Sequence, residues 1–243
     1  MEETSPPTDR DEVALTGKSA GGLLLVDKPA GLTSHDVVQR TRQIYGERSI
    51  GHLGTLDPFA TGLLVLLLGR ATRLATFLET EPKVYDATII FGTETDTDDH
   101  TGTVTRSADA PTERSVRAAI EGLTGTVSQI PPAYSAKSVA GVRAYDAARR
   151  GEPLELASVP VTVHEWDVRS VDRGSLVARI TCSGGTYIRA LARDVGRAAG
   201  SAAHLGALRR IRVGEFDVRD AHSLERLSAE RPQFRALRVV ADG

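Results

Sequence analysis

Residues 51–68 read GHLGTLDPFATGLLVLLL, a loop that runs into the longest apolar stretch of the chain. We interpret Ser49–Gly62 as a loop because three glycines and one proline interrupt it. The six apolar residues Leu63–Leu68 predict a buried strand. Within the loop, Asp57-Pro58 taken alone is typical of a turn.

Strand and helix patterns alternate irregularly on both sides of this stretch. Strands are predicted at residues 23–26, 63–68, 83–91, 159–171, 175–181 and 208–218, and helices near residues 34–44, 71–78, 116–123, 188–195 and 224–231. Ser34 is placed to cap the first helix, and the polar segment Thr93–Gly102 is predicted to be a loop. Because regular βαβ alternation is missing, we expect an α+β fold with a mixed, largely antiparallel sheet flanked by helices.

The composition is that of a soluble globular protein. The 243 residues carry a formal net charge of -2, with 40% hydrophobic and 26% charged residues, which excludes a collagen, a coiled coil and a wholly disordered chain. The longest apolar run is far shorter than the roughly 20 residues of a membrane span, and we predict no secretory signal. A lone cysteine, Cys182, cannot form an internal disulfide, so we expect a cytoplasmic protein.

Several familiar motifs fail on inspection. Thr16-Gly17-Lys18-Ser19 resembles the end of a phosphate-binding loop, but Glu12 stands where the first glycine should be. The acidic segment that begins at Asp96 has Thr101 in place of the glycine of a calcium loop. The six histidines include no HExxH pair, so we predict no metal site.

Five segments combine polar, aromatic and glycine residues in a definite order. They are KPAGLTSHDVV (28–38), GHLGTLDPFATG (51–62), Lys83-Val84-Tyr85, QIPPAYSAKSVAGVRAY (129–145) and CSGGTYIRALARDVG (182–196). Each has a structural explanation when taken singly: Tyr85 suits a core position and Arg189 a solvated helix face. In this order and spacing, however, they closely resemble the bacterial TruB-type tRNA pseudouridine synthases over about residues 22–216.

The resemblance implies the pseudouridine synthase fold and the isomerisation of uridine to pseudouridine at position 55 in the T loop of tRNA. In that reaction the bond from C1′ to N1 breaks, the uracil turns, and a bond from C1′ to C5 forms. The reaction involves no redox change and adds no group, so no cofactor is expected.

Three catalytic residues are implied. Asp57 matches the family's essential aspartate, which either attacks C1′ or removes the C2′ proton; the sequence leaves both routes open. Arg189 matches the arginine that pairs with this aspartate and counters the effect of burial on its ionisation. Tyr85 matches the tyrosine that stacks on the target base and is a candidate to take the C5 proton.

Binding roles are implied for the residues His52, Tyr187, Leu208, Lys28 and Asp96. His52 matches the histidine that stacks in the gap left by the flipped uridine, although a loop histidine bonded to backbone is the alternative. Tyr187 and Leu208 match positions that line the uracil pocket. Asp96 matches an acidic position near the active site, with a solvated turn as the alternative.

The segment from Ser183 to Arg219 is locally basic. It holds seven arginines (189, 193, 197, 209, 210, 212 and 219) against three acidic residues. Arginine suits phosphate oxygens, so this end is predicted to contact the RNA backbone. A solvated helix face would explain Arg193 and Arg197 equally well.

We expect three parts along the chain. Residues 1–20 are predicted to be a disordered acidic tail, 21–220 the catalytic domain, and 221–243 a short C-terminal extension or the remnant of a truncated RNA-binding domain. Many bacterial members of the family continue into a PUA-type domain, and we expect this chain to lack a full one.

The expected partner is tRNA, bound through its T stem-loop, with no membrane contact, no obligate protein partner and a monomeric state. Two alternatives remain open. One is an RNA-binding or tRNA-folding module whose catalysis is secondary or lost. The other is a related synthase that acts on another RNA, since recognition by shape carries little sequence code.

Overall fold

A computed structural model describes residues 21–78, 80–135, 137–139, 141–152 and 154–236. The predicted tail, residues 1–20, lies outside them. The helices are α1 (Ser34–Tyr45), α2 (Glu113–Gly122), α3 (Ala144–Arg149), α4 (Ile188–Ala198) and α5 (Leu224–Glu230), with 3₁₀ helices at Gly69–Leu74 and Val218–Asp220. None of the helices in the described ranges is long and apolar enough to cross a bilayer.

The longer strands are β1 (Gly22–Lys28), β2 (Ile50–Leu53), β3 (Thr61–Leu68), β4 (Lys83–Phe91), β7 (Gly125–Gln129), β10 (Val159–Val171), β11 (Ser175–Cys182) and β12 (Ala203–Val213). The shorter ones are β5 (Thr93–Thr95), β6 (Val104–Ser107), β8 (Ser138–Val139), β9 (Val142–Arg143), β13 (Phe216–Asp217), β14 (His222–Ser223) and β15 (Arg235–Ala236).

One eleven-stranded sheet forms the body of the molecule. Its order is β14-β1-β3-β12-β4-β11-β10-β7, and β2, β13 and β15 join at β3, β12 and β1. Only the β1–β14 and β12–β3 pairs are parallel among the described strands. The predicted mixed, largely antiparallel sheet is therefore confirmed.

Three apolar clusters hold the helices on this sheet. The largest packs α2 and α4 against the face of β4, β11 and β12 that carries Ile89, Leu176 and Leu205. A second packs α1 and α5 against β1 and β3, and a third lies on the opposite face of those two strands. Ile89, Leu176 and Leu205 are fully buried, and burying one such side chain contributes about 1.5–3 kcal/mol. The helices are therefore anchored to the sheet.

The other face of the central strands is polar. Asp86 on β4 stands directly opposite Arg179 on β11. Their side chains form a two-point ion pair, with Arg179 Nε donating to Asp86 Oδ1 at 2.8 Å and Nη2 to Oδ2 at 2.9 Å. Both side chains remain about 40% exposed (39% and 43%), so we expect this pair to contribute less than about 1 kcal/mol.

Several predicted elements differ from the structure. Thr33, not Ser34, caps α1: its hydroxyl accepts from Asp36 N at 3.0 Å, and Asp36 Oδ2 accepts from Thr33 N at 2.8 Å. The helix predicted at residues 71–78 is the 3₁₀ helix Gly69–Leu74, where the hydroxyl of Thr72 donates to Gly69 O at 2.8 Å and tightens the turn.

The predicted last strand is shifted toward the N-terminus. It runs over β12, reverses at Gly214, which has a φ of +55°, and returns as β13. The predicted loop from Ser49 contains strand β2, and the predicted polar loop at Thr93–Gly102 begins with β5. The hairpin of β10 and β11 and the whole of β4 match the prediction.

Candidate active site

The loop between β2 and β3 carries Asp57 and is held from two sides. Ser34 at the start of α1 is buried, and its hydroxyl both donates to Leu56 O at 3.1 Å and accepts from Leu56 N at 2.9 Å. The carbonyl of Pro58 accepts from Gly31 N at 2.8 Å. Because the residues on both sides of Asp57 are fixed, the position of its carboxylate is fixed as well.

The end of this loop passes very close to β12. Gly62 has a φ of +101°, and a Cβ atom there would collide with the backbone of Arg210. Glycine is the residue that tolerates both conditions. Gly62 therefore allows β3 to pair with β12 directly after the Asp57 loop.

Arg189, in the first turn of α4, binds the Asp57 carboxylate at two points. Its Nε donates to Oδ2 at 2.9 Å and its Nη2 to Oδ1 at 3.1 Å. The remaining donors reach backbone, with Nη1 donating to Thr97 O and Nη2 to Tyr134 O, both at 2.9 Å. The guanidinium side chain is 6% exposed, against 33% for Asp57. The arginine is therefore the buried support, and the carboxylate faces the open side.

Burial raises the pKa of Asp57 above its ordinary value, and the charge and hydrogen bonds of Arg189 oppose that rise. Asp99 adds to the rise, and Lys28 opposes it. The two hydrogen bonds from the guanidinium favour the charged form of this carboxylate. It also remains more basic than an exposed aspartate, which suits a nucleophile or a base.

A cavity of about 270 Å³ opens beside this pair. Ligand pockets commonly span roughly 300–1,000 Å³, so the cavity suits a single base. Its lining residues are Gly54, Thr55, Leu56, Asp57, Lys83, Tyr85, Tyr134, Ser135, Gly185, Thr186, Tyr187, Ile188, Arg189, Leu208 and Arg210. The structure thus brings together five of the predicted residues: Asp57, Tyr85, Tyr187, Arg189 and Leu208.

Tyr85 and Leu208 come from neighbouring strands, β4 and β12, and both are buried. Burial raises the pKa of Tyr85, so its phenol is neutral at pH 7. Tyr187 precedes α4, and its backbone is held by Gln129, whose Oε1 accepts from Tyr187 N at 2.9 Å. The described ranges contain no cluster of three or more His, Cys, Asp or Glu side chains arranged to hold a metal ion.

Two family models match the chain in succession. The "TruB family pseudouridylate synthase (N terminal domain)" model matches residues 42–188, and the "tRNA pseudouridylate synthase B C-terminal domain" model matches residues 189–238. The chain belongs to the TruB family. The first match contains Asp57 and Tyr85, and the second begins at Arg189, so the three predicted catalytic residues lie within matched segments.

Similar curated proteins extend the TruB comparison to most of the chain. A tRNA pseudouridine synthase B of Thermobifida fusca (strain YX) is 52% identical over 221 residues, covering 87% of this chain and 75% of the relative. A tRNA pseudouridine synthase B of Arthrobacter sp. (strain FB24) is 50% identical over 217 residues. That match covers 86% of this chain and 71% of the relative.

Solved structures share the TruB fold at lower identity. A Cbf5-Nop10-Gar1 complex contains a chain with a TM-score of 0.67 and 27% identity, covering 86% of this chain and 54% of that one. A chain of an H/ACA RNP bound to a substrate RNA containing 2'-deoxyuridine has a TM-score of 0.64 and 26% identity. The match covers 91% of this chain and 61% of that one. This chain therefore spans just over half of each of these longer chains.

Lys28, one of the predicted binding residues, is not in the TruB cavity. It is fully buried, and its ammonium donates to Pro29 O at 3.0 Å, Leu32 O at 2.7 Å and Pro58 O at 3.2 Å. Burial lowers its pKa to about 8. The prediction that Lys28 contacts substrate is wrong for this geometry, because all three donors are used. Lys28 ties the turn after β1 to the Asp57 loop.

Asp96 also lies apart from the cavity. It is exposed, and its Oδ1 accepts from Thr103 N at 2.8 Å within the loop. The contacts to Arg189 come from its neighbours, the carbonyl of Thr97 at 2.9 Å and Asp99 Oδ2 at 3.7 Å. Asp99, which is 4% exposed, is therefore the acid of this loop that lies beside Arg189, and Asp96 is not. Asp96, Asp98 and Asp99 lie within four residues of one another, so the sequence alone does not show which of them reaches the site.

The basic segment of the TruB chain is mostly paired within the protein. Arg193 binds Asp98 Oδ2 at 2.7 Å, and Arg197 binds Glu94 Oε2 at 2.7 Å. Arg209 and Arg219 also form ion pairs, and Arg210 donates to backbone carbonyls. Arg212, one of the arginines predicted to contact phosphate, is exposed. Among the described residues its side chain donates only to Gly214 O. Three of these arginines, Arg189, Arg193 and Arg210, hold the loops around the cavity.

His52 lies on β2, just before the Asp57 loop, and is not part of the cavity lining. It is half-buried, and its Nδ1 has no hydrogen-bond partner among the described residues. Burial, followed by the charge of Arg210, lowers its pKa, so the ring is neutral at pH 7. A neutral ring without hydrogen-bond commitments suits stacking on a base.

We expect His52→Ala to lower kcat/KM for a folded tRNA about 10-fold, because stacking contributes about 1–3 kcal/mol per base. His52→Phe should keep most of the activity, since it preserves the ring. Steady-state kinetics on an unmodified transcript would measure both, with His164→Ala, an exposed histidine on β10, as the control. Equal losses in His52→Ala and His52→Phe would contradict a stacking role.

Proposed function

We propose that this protein converts uridine to pseudouridine at position 55 in the T loop of tRNA. The observation that carries the proposal is the two-point pair of Asp57 and Arg189 at the wall of a base-sized cavity. About 50% identity to tRNA pseudouridine synthases B supports tRNA as the substrate. The T-loop position follows from the role that the TruB family is known for.

The chemistry requires one carboxylate and a place for the detached base. Asp57 either attacks C1′ or removes the C2′ proton, and in both routes the electron pair of the C1′–N1 bond leaves with the uracil. The ring then turns and C5 bonds to C1′, as the Asp57–C1′ bond breaks in the first route or as Asp57 returns the proton to C2′ in the second. C5 finally loses its proton and N1 gains one. Atoms and electrons balance without an oxidant, a reductant or an added group, so the proposal includes no cofactor.

Each remaining residue has a defined task in this scheme. Arg189 keeps Asp57 ionised and fixes its direction. Tyr85 stacks on the base from β4 and takes part in removal of the C5 proton, while Tyr187 and Leu208 close the pocket. The uridine must leave its stack to enter, which costs a few kcal/mol, and His52 stacks in the place that it leaves.

We also propose the organisation in which the enzyme works. Residues 21–220 form the catalytic domain, because β12 completes the sheet and supplies Leu208 to the cavity. The chain acts on the T stem-loop as a monomer in the cytoplasm, where its free, buried Cys182 stays reduced. Light scattering after gel filtration tests the monomer, and a dimer mass would contradict it.

The substrate is tested on an unmodified tRNA transcript. We expect the wild-type protein to form pseudouridine at position 55, mapped at nucleotide resolution, and to act on the isolated T stem-loop. A transcript with cytidine at position 55 should give no product. Product only at another uridine would indicate a synthase with a different target, and binding without any product would indicate an RNA-binding module.

We expect Tyr85→Phe to lower the rate of product formation by at least about 100-fold, because proton transfer by a positioned side chain contributes about 10²–10⁴-fold. The ring and its stacking are kept, so tRNA affinity should stay within about threefold. Single-turnover kinetics separate the two quantities. Tyr45→Phe is the matched control, since that hydroxyl donates to Pro232 O outside the cavity. A near-normal rate for Tyr85→Phe would remove the hydroxyl from the mechanism.

A further inference from the structure

Two cations line the cavity without a role in the scheme above. Lys83 is the first residue of β4, and Arg210 lies on β12. Tyr85, two residues after Lys83, is the cross-strand partner of Arg210. Both Lys83 and Arg210 belong to the lining that also contains Asp57. Their charges therefore act on whatever base enters the cavity.

Arg210 is held mainly by backbone carbonyls, and the hydroxyl of the neutral Tyr85 is its side-chain partner. It is 1% exposed, its Nε donates to Leu63 O at 2.8 Å, and its Nη2 donates to Gly54 O at 2.9 Å. Carbonyl oxygens satisfy its donors but do not cancel its charge. None of the ion pairs within 4.0 Å found among the described residues includes Arg210 or Lys83.

Lys83 extends into the same corner. Its Nζ lies 3.6 Å from the position that a Cβ atom would take at Gly54 and 3.5 Å from that at Gly184. Burial lowers the pKa of Lys83 below its usual value, the charge of Arg210 lowers it further, and Glu81 and Cys182 oppose this in part. Two neighbouring cations, Arg210 buried and Lys83 half-buried, repel each other, and such an arrangement is typical of a site that receives an anion.

The proposed reaction makes an anion at this place. When the C1′–N1 bond breaks, its electron pair stays on the uracil, and the charge spreads over N1, O2 and O4. The pair returns to a bond when C5 attacks C1′. Asp57 and Arg189 neutralise each other, so they do not supply net positive charge to the ring.

We propose that Lys83 and Arg210 form a cationic wall that stabilises the negative charge on the detached uracil through its carbonyl oxygens. The inference rests on the proposed function and adds two residues to the reaction. A fixed cation in a water-poor cavity stabilises a developing charge more than water does. The wall lowers the barrier to glycosidic bond cleavage without contributing to the recognition of the tRNA.

The first test compares Lys83→Met and Lys83→Arg in single-turnover reactions with saturating enzyme. We expect Lys83→Met to slow the bound reaction about 100-fold, the range found when one donor to a developing anion is removed. Its Kd for tRNA should change less than about threefold, and Lys83→Arg should keep most of the rate. Arg173→Met is the control for loss of a positive charge. Lys83 pairs with Cys182 at the C-terminal end of β11, whereas the exposed Arg173 lies in the turn before its N-terminal end.

A second arm changes the leaving group instead of the protein. Fluorine at C5 of the target uridine stabilises the uracil anion, so glycosidic cleavage should depend less on Lys83. We expect the deficit of Lys83→Met to shrink on a transcript with 5-fluorouridine at position 55. An equal deficit on both transcripts would assign a structural role and overturn the proposal. A weaker Kd with an unchanged bound rate would overturn it too, because Lys83 would then contact a phosphate.

The pH profile gives an independent readout. Lys83 is charged below its lowered pKa, so the wild-type rate should fall as pH rises through that value. Lys83→Arg should hold its rate to higher pH, because a guanidinium stays protonated. If the wild-type protein and Lys83→Arg lost activity at the same alkaline pH, the assignment of Lys83 to the cationic wall would be contradicted. Lack of product with the wild-type protein would instead contradict the proposed function, and that result is obtained before any variant is compared.

Discussion

Asp57→Asn is expected to abolish pseudouridine formation, with a loss of at least about 10⁴-fold in the single-turnover rate. The substitution keeps the size and polarity of the side chain but removes its charge, and an amide neither attacks C1′ nor accepts a proton from C2′. The loop around it should stay in place, since Ser34 holds Leu56 and Lys28 holds Pro58.

Binding should persist in the same variant. The cavity wall and the stacking residues are unchanged, so we expect the Kd for tRNA to stay within about threefold. Arg189 keeps its bonds to Thr97 O and Tyr134 O, and the lost charge contact should cost about 1–3 kcal/mol of folding stability. Filter binding and thermal unfolding measure the two quantities.

Asp86→Asn is a matched control for this experiment. Asp86 forms the same two-point pair with an arginine, Arg179, but on the polar face of the sheet. We expect Asp86→Asn to retain nearly full activity. If Asp57→Asn kept more than about one hundredth of the wild-type rate, Asp57 could be neither the nucleophile nor the base.

Removal of Arg189 is expected to have the second largest effect. In Arg189→Met the Asp57 carboxylate stays in a partly buried place without its cation, so its pKa rises further and it takes up a proton near neutral pH. We expect an activity loss of about 10³-fold. The acid limb of the remaining activity should move to higher pH, because only the ionised form acts.

The same change should destabilise the fold. Breaking a buried ion pair by removal of one partner costs about 3–5 kcal/mol, and we expect the lower end because Asp57 is one-third exposed (33%). Arg179→Met, which removes an exposed arginine, should cost less than about 1 kcal/mol. Urea unfolding provides the comparison, and equal losses in the two variants would show that Arg189 is not a buried support.

Arg189→Lys separates charge from geometry. It keeps a cation but replaces the planar fork with a single point of contact. We expect intermediate activity, above that of Arg189→Met and well below that of the wild-type protein. Full activity in Arg189→Lys would mean that two-point orientation of Asp57 is unimportant and that charge alone is required.

Local patterns were sufficient for much of the fold. Strand β4 and the hairpin of β10 and β11 were predictable because alternating side chains and a turn at Asp172-Arg173-Gly174 lie within one segment. Strand β2 was not, since its four residues contain a glycine and a histidine and pair with β3 only after the Asp57 loop reverses the chain. Its stability comes from its partner strand.

The same distinction applies to the site. Asp57, Tyr85 and Arg189 were found because each lies in a recognisable segment, and the structure brings all three to one cavity. Arg210 gave no such signal, because its role depends on the pairing of β12 with β3 and β4. Lys28 was misplaced for the converse reason: a lysine before a proline is usually at the surface, and only the folded turn shows three carbonyls around it.

The position of β12 has a consequence for how the protein is made. Strands β3 and β4 are neighbours in sequence, yet β12 separates them in the sheet. A ribosome produces β3 and β4 long before it produces β12. The centre of the sheet therefore cannot form until β12 has been synthesised. Such long-range pairing folds slowly and leaves strand edges exposed in the meantime. Strand β12, which carries Leu208 and Arg210, is the last of the cavity strands to be synthesised, so a nascent chain cannot close around a uridine before β12 has been made.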